Sequence, residues 1–199
     1  MASLNFFWVE EKLKKEGIKI FSIFDFQRIF KVKYETAKKW IRRYQKKGYL
    51  IKARKGLYFL KANPPLDFEL ANALYQPSYV SFESALSFYG ILPETIYQIS
   101  SATTRKTKTF QVGNLKFFYF KIKKNCFLGY SLRKIRGRNV LIAEPEKALA
   151  DFLYQVSLGK RKLSYERLRL KKIKKKKLLK YARCFENKKL LNLIEKIYA

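Results

Sequence analysis

Cationic side chains recur at helical spacing between residues 34 and 47. On a wheel of 100° per residue, one face of this segment is apolar and the opposite face is almost wholly basic. The apolar face comprises Ala37, Trp40, Ile41 and Tyr44, and the basic face comprises Glu35, Lys39, Arg42 and Lys46, flanked by Lys38 and Arg43. Guanidinium and ammonium groups donate strong hydrogen bonds to phosphate. The spacing therefore predicts a helix that builds core with one face and binds a polyanion with the other.

The residues on either side of this helix indicate the element that carries it. Before it, one helix is predicted to end at Gly17, and a second is capped by Ser22, has Asp25 at its third position and runs to about residue 30. After it, residues 49–52 and 57–60 predict a β-hairpin. Three helices followed by a hairpin are typical of a winged helix-turn-helix, whose third helix of about four turns fits the DNA major groove. A solvated charged helix beside a surface hairpin is the alternative.

The predicted DNA contacts divide by position. Lys38, Lys39, Arg42 and Lys46 dock the helix, and Arg54 and Lys55 at the hairpin tip reach an adjacent backbone or the minor groove. Residues at the N-terminus of the helix are candidates for base contacts. The full set of candidate DNA-binding residues is Tyr34, Glu35, Thr36, Lys38, Lys39, Arg42, Arg43, Lys46, Arg54 and Lys55.

The distribution of charge supports a polyanionic partner. The 199 residues include 45 Lys or Arg and 15 Asp or Glu, a formal charge of +30. Residues 1–61 carry +12, residues 62–159 carry +5 and residues 160–199 carry +13. A lysine-rich background accounts for part of the excess but not for its uneven distribution, and nucleic acid is the usual partner of such a chain.

A run of lysines near the C-terminus has two interpretations of equal weight. Its candidate phosphate contacts are Lys171, Lys172, Lys174, Lys175, Lys176 and Lys177. The run is either a clamp on the nucleic-acid backbone or a solvated face.

Histidine is absent from the sequence, which excludes most catalytic sites that work at neutral pH. Two Glu-x-Lys triplets, which begin at Glu10 and Glu186, match part of a nuclease metal site but fall in predicted helices. Glu144, Glu146 and Asp151 lie at a predicted helix start, where acids ordinarily stabilise the cap and the dipole. We therefore predict no enzyme activity, no catalytic residue, no metal and no cofactor.

The chain is expected to form two domains of overall α+β class. Asn63-Pro64-Pro65 marks a boundary, so residues 1–62 form the winged helix-turn-helix, residues 63–66 a linker and residues 67–199 a mixed α+β domain. Strands are predicted at 97–101, 109–112, 115–122 and 139–143, and a helix after Glu144-Pro145-Glu146. The basic tail begins at about residue 160 and fits two or three helices from residue 164, broken near residues 186–187. Cys126 and Cys184 are expected to be buried thiols without a disulfide.

No segment of the sequence is suited to cross a membrane. The longest charge-free stretches, such as residues 70–82, are too short and too polar, and Glu10 and Glu11 interrupt the N-terminal apolar run where a signal peptide needs its core. We expect a cytoplasmic protein.

Four segments together resemble the AbiEi antitoxins of type IV toxin-antitoxin systems. They are Lys55-Gly-Leu-Tyr58, Tyr79-Val-Ser-Phe-Glu-Ser-Ala-Leu-Ser-Phe-Tyr-Gly-Ile-Leu92, Ala143-Glu-Pro-Glu-Lys-Ala-Leu-Ala-Asp151 and Tyr181-Ala-Arg183. The resemblance implies an autorepressor that binds inverted repeats in its own promoter, two copies to a palindromic operator. It also implies that the C-terminal domain counters a nucleotidyltransferase toxin encoded beside it, without a stable complex. The extreme lysine content departs from the family's pattern.

An RNA-binding or RNA-processing accessory protein is the alternative function. It would use the basic tail together with the aromatic residues between Lys116 and Lys124, on which unpaired bases could stack. Aromatic residues that alternate along a strand also occur as core, so the two interpretations differ in whether these rings are exposed.

Overall fold

The computed structural model describes residues 4–93, 97–161 and 168–198. The chain divides into two compact units, one up to Leu74 and one from Tyr75. The proline-rich segment at 63–66 lies within the first unit.

The first unit contains helices and a small sheet. Its elements are α1 (Phe6–Lys15), β1 (Ile20–Phe21), α2 (Ile23–Phe30), α3 (Tyr34–Lys46), β2 (Leu50–Arg54), β3 (Leu57–Leu60) and α4 (Asp67–Leu74). The strands form an antiparallel sheet in the order β1-β3-β2. The predicted capping box of α2 is confirmed, because the Asp25 N–H donates to Ser22 Oγ at 3.1 Å and the Ser22 N–H donates to Asp25 Oδ2 at 2.9 Å. Helix α3 ends near Gly48, whose φ of +76° suits a glycine.

The second unit is built on a six-stranded mixed sheet. Its strands are β4 (Ser78–Val80), β5 (Gln98–Thr103), β6 (Lys108–Val112), β7 (Leu115–Lys121), β8 (Tyr130–Ile135) and β9 (Arg138–Ala143), in the order β6-β7-β5-β4-β9-β8. The β4–β9 and β5–β7 pairs are parallel and the others antiparallel. Its helices are α5 (Phe82–Phe88), α6 (Pro145–Ser157), α7 (Lys175–Arg183) and α8 (Lys188–Tyr198). The predicted α+β class is therefore confirmed.

One strand of this unit was not predicted from the sequence, and one prediction falls outside the described residues. Strand β8 was not predicted, because its exposed residues Leu132, Arg133 and Lys134 break the apolar alternation of a half-buried strand. It lies at an edge of the sheet, where charged side chains are common. The predicted start of the tail helices, residues 164–167, lies outside the described residues.

The acids near the start of α6 act only in part as the sequence predicts. The Glu144 side chain makes no capping hydrogen bond, and Asp151 is completely buried in the body of the helix. Asp151 instead pairs with Lys147, also completely buried, and accepts hydrogen bonds from Ser81 Oγ at 2.7 Å and the Tyr79 hydroxyl at 3.1 Å. The cap and dipole assignment is therefore wrong for Asp151, whereas Glu144 at the N-cap and Glu146 in the first turn lie where acids stabilise the helix dipole. Through these hydrogen bonds the Asp151 carboxylate connects α6 to Tyr79 in β4 and to Ser81 directly after β4.

Candidate nucleic-acid interface

Helix α3 separates apolar and basic side chains as its sequence predicts. Ala37, Trp40 and Ile41 are buried, at 0%, 5% and 2% exposure. The candidate DNA-binding residues on this helix are all exposed: Tyr34, Glu35, Thr36, Lys38, Lys39, Arg42, Arg43 and Lys46. The structure thus brings these residues to the accessible side of one helix.

Aromatic packing fixes the orientation of α3. The Trp40 ring lies 4.8 Å from the Phe26 ring and 4.4 Å from the Tyr44 ring, measured between centroids. The Trp40 indole N–H donates to the Leu4 carbonyl at 2.7 Å, which satisfies the polar atom of this large buried side chain. Because α1, α2 and α3 share one core, the basic face is held in place without any ligand.

Most cations on the exposed face of α3 are available for a ligand. Lys38 Nζ lies 3.7 Å from the Glu35 carboxylate, and both side chains are exposed, so this pair contributes little. Within the described ranges, no carboxylate forms an ion pair with Lys39, Arg42, Arg43 or Lys46. Free cations on a rigid face can each neutralise a phosphate and release its counterions.

The hairpin between β2 and β3 also presents its basic tip to solvent. Arg54 and Lys55 are both exposed. Gly56 has a φ of +78°, a backbone conformation that side chains disfavour, although a Cβ there would meet no atom within 4 Å. The strand pairing shifts register between Lys52 and Arg54, which is typical of a bulge that turns the strand near its end.

One exposed aromatic residue beside α3 was missed by the sequence reasoning. Phe24, in the first turn of α2, is 72% exposed, and its ring lies 6.0 Å from the ring of Tyr34, which is 40% exposed. A wheel of residues 23–30 could have found it. Phe26 and Phe30 mark the buried stripe of α2, and Phe24 falls well away from it.

The lysine run divides into engaged and unengaged side chains. Lys172 Nζ donates to the Tyr89 carbonyl at 3.1 Å, Lys175 pairs with Glu195 at 2.7 Å and Lys177 pairs with Glu144 at 2.9 Å. The side chains of Lys171, Lys174 and Lys176 are exposed and have no such partner among the described residues. Only part of the run is therefore free to meet a phosphate.

Glu144 lies at the centre of this local network. Its carboxylate accepts a hydrogen bond from the Tyr181 hydroxyl and pairs with Lys177. The hydrogen bond from Tyr181, followed by the contact with Lys177, lowers the pKa of Glu144. The same contacts join the start of α6 to α7.

The aromatic residues proposed for base stacking lie largely in the core. Phe117 and Tyr119, in β7, are completely buried, and Phe118 and Phe120 are half-buried and stacked on each other. The two buried rings offer no face to a base. The interpretation of this strand as core is confirmed for them.

Neither a metal cluster nor a spanning helix is found in the described parts of the chain. No three His, Cys, Asp or Glu side chains among these residues are grouped so as to hold a metal ion. None of the helices described combines the length and apolar character needed to cross a bilayer. The sequence matches no protein-family model, and no curated protein is significantly similar to it.

Proposed function

We propose that this chain is a sequence-specific DNA-binding transcriptional regulator. The observation that carries the proposal is the two-sided character of α3. Trp40 packs one side into the core, and the other side exposes Lys39, Arg42, Arg43 and Lys46, which pair with no carboxylate in the described part of the chain. The order of elements in the first unit, with three helices and then a hairpin with Arg54 and Lys55 at its tip, supports a winged helix-turn-helix.

In this proposal α3 is the recognition helix and occupies the major groove. Its N-terminal residues Tyr34, Glu35 and Thr36 meet base edges, and its cations contact the phosphates on either side. Arg54 and Lys55 reach the adjacent backbone or minor groove. The helix is already ordered in the free protein, so binding costs little conformational entropy.

The proposed biological role is that of an AbiEi-like antitoxin acting in the cytoplasm. The resemblance in the four quoted segments supports this part of the proposal. The protein would repress its own promoter at inverted repeats and would counter a nucleotidyltransferase toxin without a stable complex. A gene for such an enzyme beside this one would support the role, and a neighbouring gene of another kind would count against it.

A mobility-shift assay tests the DNA-binding proposal against the RNA alternative. Full-length protein is titrated onto the duplex upstream of its own gene, onto a scrambled duplex of equal length and onto a structured RNA. We expect a preference for the upstream duplex that survives excess competitor DNA. Equal or tighter binding to the RNA would contradict the proposal and favour the alternative, in which Lys171, Lys174 and Lys176 serve as phosphate contacts.

A further inference from the structure

We propose that Phe24 and Tyr34 form an apolar contact for the 5-methyl group of a thymine, and so contribute to sequence specificity. This inference rests on the DNA-binding function proposed above. It assigns a role to Phe24 and names the chemical group that the aromatic pair contacts. The two residues are hereafter called the aromatic pair.

The aromatic pair lies where two helices begin. Phe24 is in the first turn of α2 and Tyr34 is the first residue of α3. Their ring centroids are 6.0 Å apart and the rings are tilted by 36°. Phe24 is 72% exposed and Tyr34 is 40% exposed, so both rings are accessible to a ligand that approaches the start of α3.

Local structure holds Phe24 in this exposed position. The capping box between Ser22 and Asp25 fixes the first turn of α2, and Phe26 is completely buried in the core. The backbone of Phe24 is therefore constrained on both sides. Together with the Tyr34 ring, the Phe24 ring forms a contiguous exposed apolar surface, and a ligand that covers this surface gains the free energy of apolar burial.

The charges around the aromatic pair favour DNA as the covering ligand. Arg28, Lys31, Lys33 and Lys38 lie near it in sequence and are all exposed. Arg28 pairs with Asp25 and Lys38 with Glu35, whereas Lys31 and Lys33 pair with no carboxylate among the described residues. Lys38 Nζ lies 5.8 Å from the centroid of the Tyr34 ring. A cationic border with an apolar centre is complementary to a groove that has phosphates at its edges and an apolar group on its floor.

The apolar side chain of phenylalanine determines which group on a DNA base Phe24 can contact. Its side chain neither donates nor accepts a hydrogen bond, so it cannot discriminate among the polar atoms of the base edges. In the major groove the apolar group on a base edge is the 5-methyl of thymine. Contact with that methyl buries apolar surface on both sides.

Replacing thymine with deoxyuridine tests this contact, because deoxyuridine lacks only the methyl group. The binding site in the upstream duplex is located by footprinting, and each thymine in it is replaced singly. Binding of the full-length protein is measured by fluorescence anisotropy. We expect one or two replacements to weaken wild-type binding by roughly three- to tenfold. Phe24→Ala should weaken binding to the unmodified duplex similarly and abolish the sensitivity to those replacements.

Two further variants control for structure and for general apolar contact. Phe24→Leu retains an apolar side chain and should keep most of the sensitivity to deoxyuridine. Phe7→Ala removes a phenylalanine that is 79% exposed on α1 and should leave both the affinity and the sensitivity unchanged. Together they separate the effect of the thymine contact from any effect on the fold.

Two results would overturn the inference in distinguishable ways. If the wild type prefers the upstream duplex but binds every deoxyuridine duplex as tightly as the parent, the thymine contact is wrong and the proposed function stands. The same holds if the sensitivity persists undiminished in Phe24→Ala. If the wild type prefers no duplex at all, the proposed function fails, and the inference fails with it.

Discussion

Asp151 lies at the centre of a buried polar cluster in the second unit. Its completely buried carboxylate is paired with the completely buried Lys147 and accepts hydrogen bonds from Ser81 and Tyr79. Burial raises the pKa of Asp151, while the Lys147 ammonium and the two hydroxyls oppose that rise. Removal of one partner from a buried pair leaves the other charge uncompensated, which is costly. An acid and a base one helical turn apart can therefore both be buried in α6.

Asp151→Asn should destabilise the protein strongly. It leaves the Lys147 ammonium buried without a counter-charge, and we expect a loss of about 3–5 kcal/mol in the free energy of unfolding. Glu195→Gln is the matched control, because the pair of Glu195 with Lys175 is exposed and worth less than about 1 kcal/mol. Urea denaturation measures both. A loss for Asp151→Asn no larger than the control's would show that Lys147 does not depend on this carboxylate.

Tyr181→Phe should reduce stability in a pH-dependent way. The Tyr181 hydroxyl lowers the folded-state pKa of Glu144 below its ordinary value of 4.5, so its stabilisation is present above that value and is lost as the pH falls through the lowered pKa. We expect a loss of about 1 kcal/mol at pH 7, since Glu144 is partly exposed, and a shallower decline in stability below about pH 5.

Tyr198→Phe is the control for that measurement. The Tyr198 hydroxyl is buried and has no hydrogen-bond partner in the described part of the chain, so its removal should cost little at any pH. Denaturation midpoints at pH 3, 4, 5 and 7 compare the two variants. An equal loss at every pH for Tyr181→Phe would contradict the assigned link to Glu144.

At the scale of elements, the sequence predicted what local signals specify. Residue types and their spacing over a few positions predict three features that the structure has. They are the capping box of α2, the two faces of α3 and the strands of the hairpin. Strand β8 and the burial of Asp151 were not predictable in this way. The edge position of β8 depends on β9, and two partners of Asp151, Tyr79 and Ser81, lie 72 and 70 positions away in sequence.

Gly129 exemplifies a requirement set by packing between distant elements. A Cβ there would lie 2.7 Å from Tyr181 Cε1, and its φ of +73° disfavours a side chain. Gly113, in the β6–β7 turn, has a φ of +58° and open space around it. Gly113→Ala should therefore cost about 1 kcal/mol from backbone strain alone, and Gly129→Ala should cost about 1–3 kcal/mol more from overpacking. Thermal denaturation compares the two, and equal losses would mean that Tyr181 moves aside freely.

The formal charge of +30 has different roles along the chain. In the first unit, Lys39, Arg42, Arg43 and Lys46 on the exposed face of α3 pair with no carboxylate among the described residues. In the tail, Lys172, Lys175 and Lys177 are held by a carbonyl or a carboxylate of the second unit. Total charge thus indicates a polyanionic partner, but it does not show which lysines are free to bind one.

Two triple variants separate the structural lysines of the tail from the free ones. Changing Lys172, Lys175 and Lys177 to Gln should lower the free energy of unfolding by about 1–2 kcal/mol, because each side chain loses a partner. Changing Lys171, Lys174 and Lys176 to Gln removes the same charge and should leave stability within about 0.5 kcal/mol of the wild type. Denaturation curves in urea measure the difference. Equal losses would contradict this division of the run.

The salt dependence of binding tests the proposal that the exposed face of α3 binds the DNA backbone. Binding of full-length protein to the upstream duplex is measured at a series of salt concentrations for the wild type and two double variants. The α3 variant is Lys39→Ala/Arg42→Ala. The control variant is Lys15→Ala/Lys61→Ala, which removes two exposed cations elsewhere in the first unit. We predict that the α3 variant binds more weakly than the wild type. Its slope of log K against log salt concentration should be flatter by roughly 0.9 for each phosphate that it no longer neutralises. The control variant should keep the wild-type slope. An α3 variant with wild-type affinity and slope would contradict the claim.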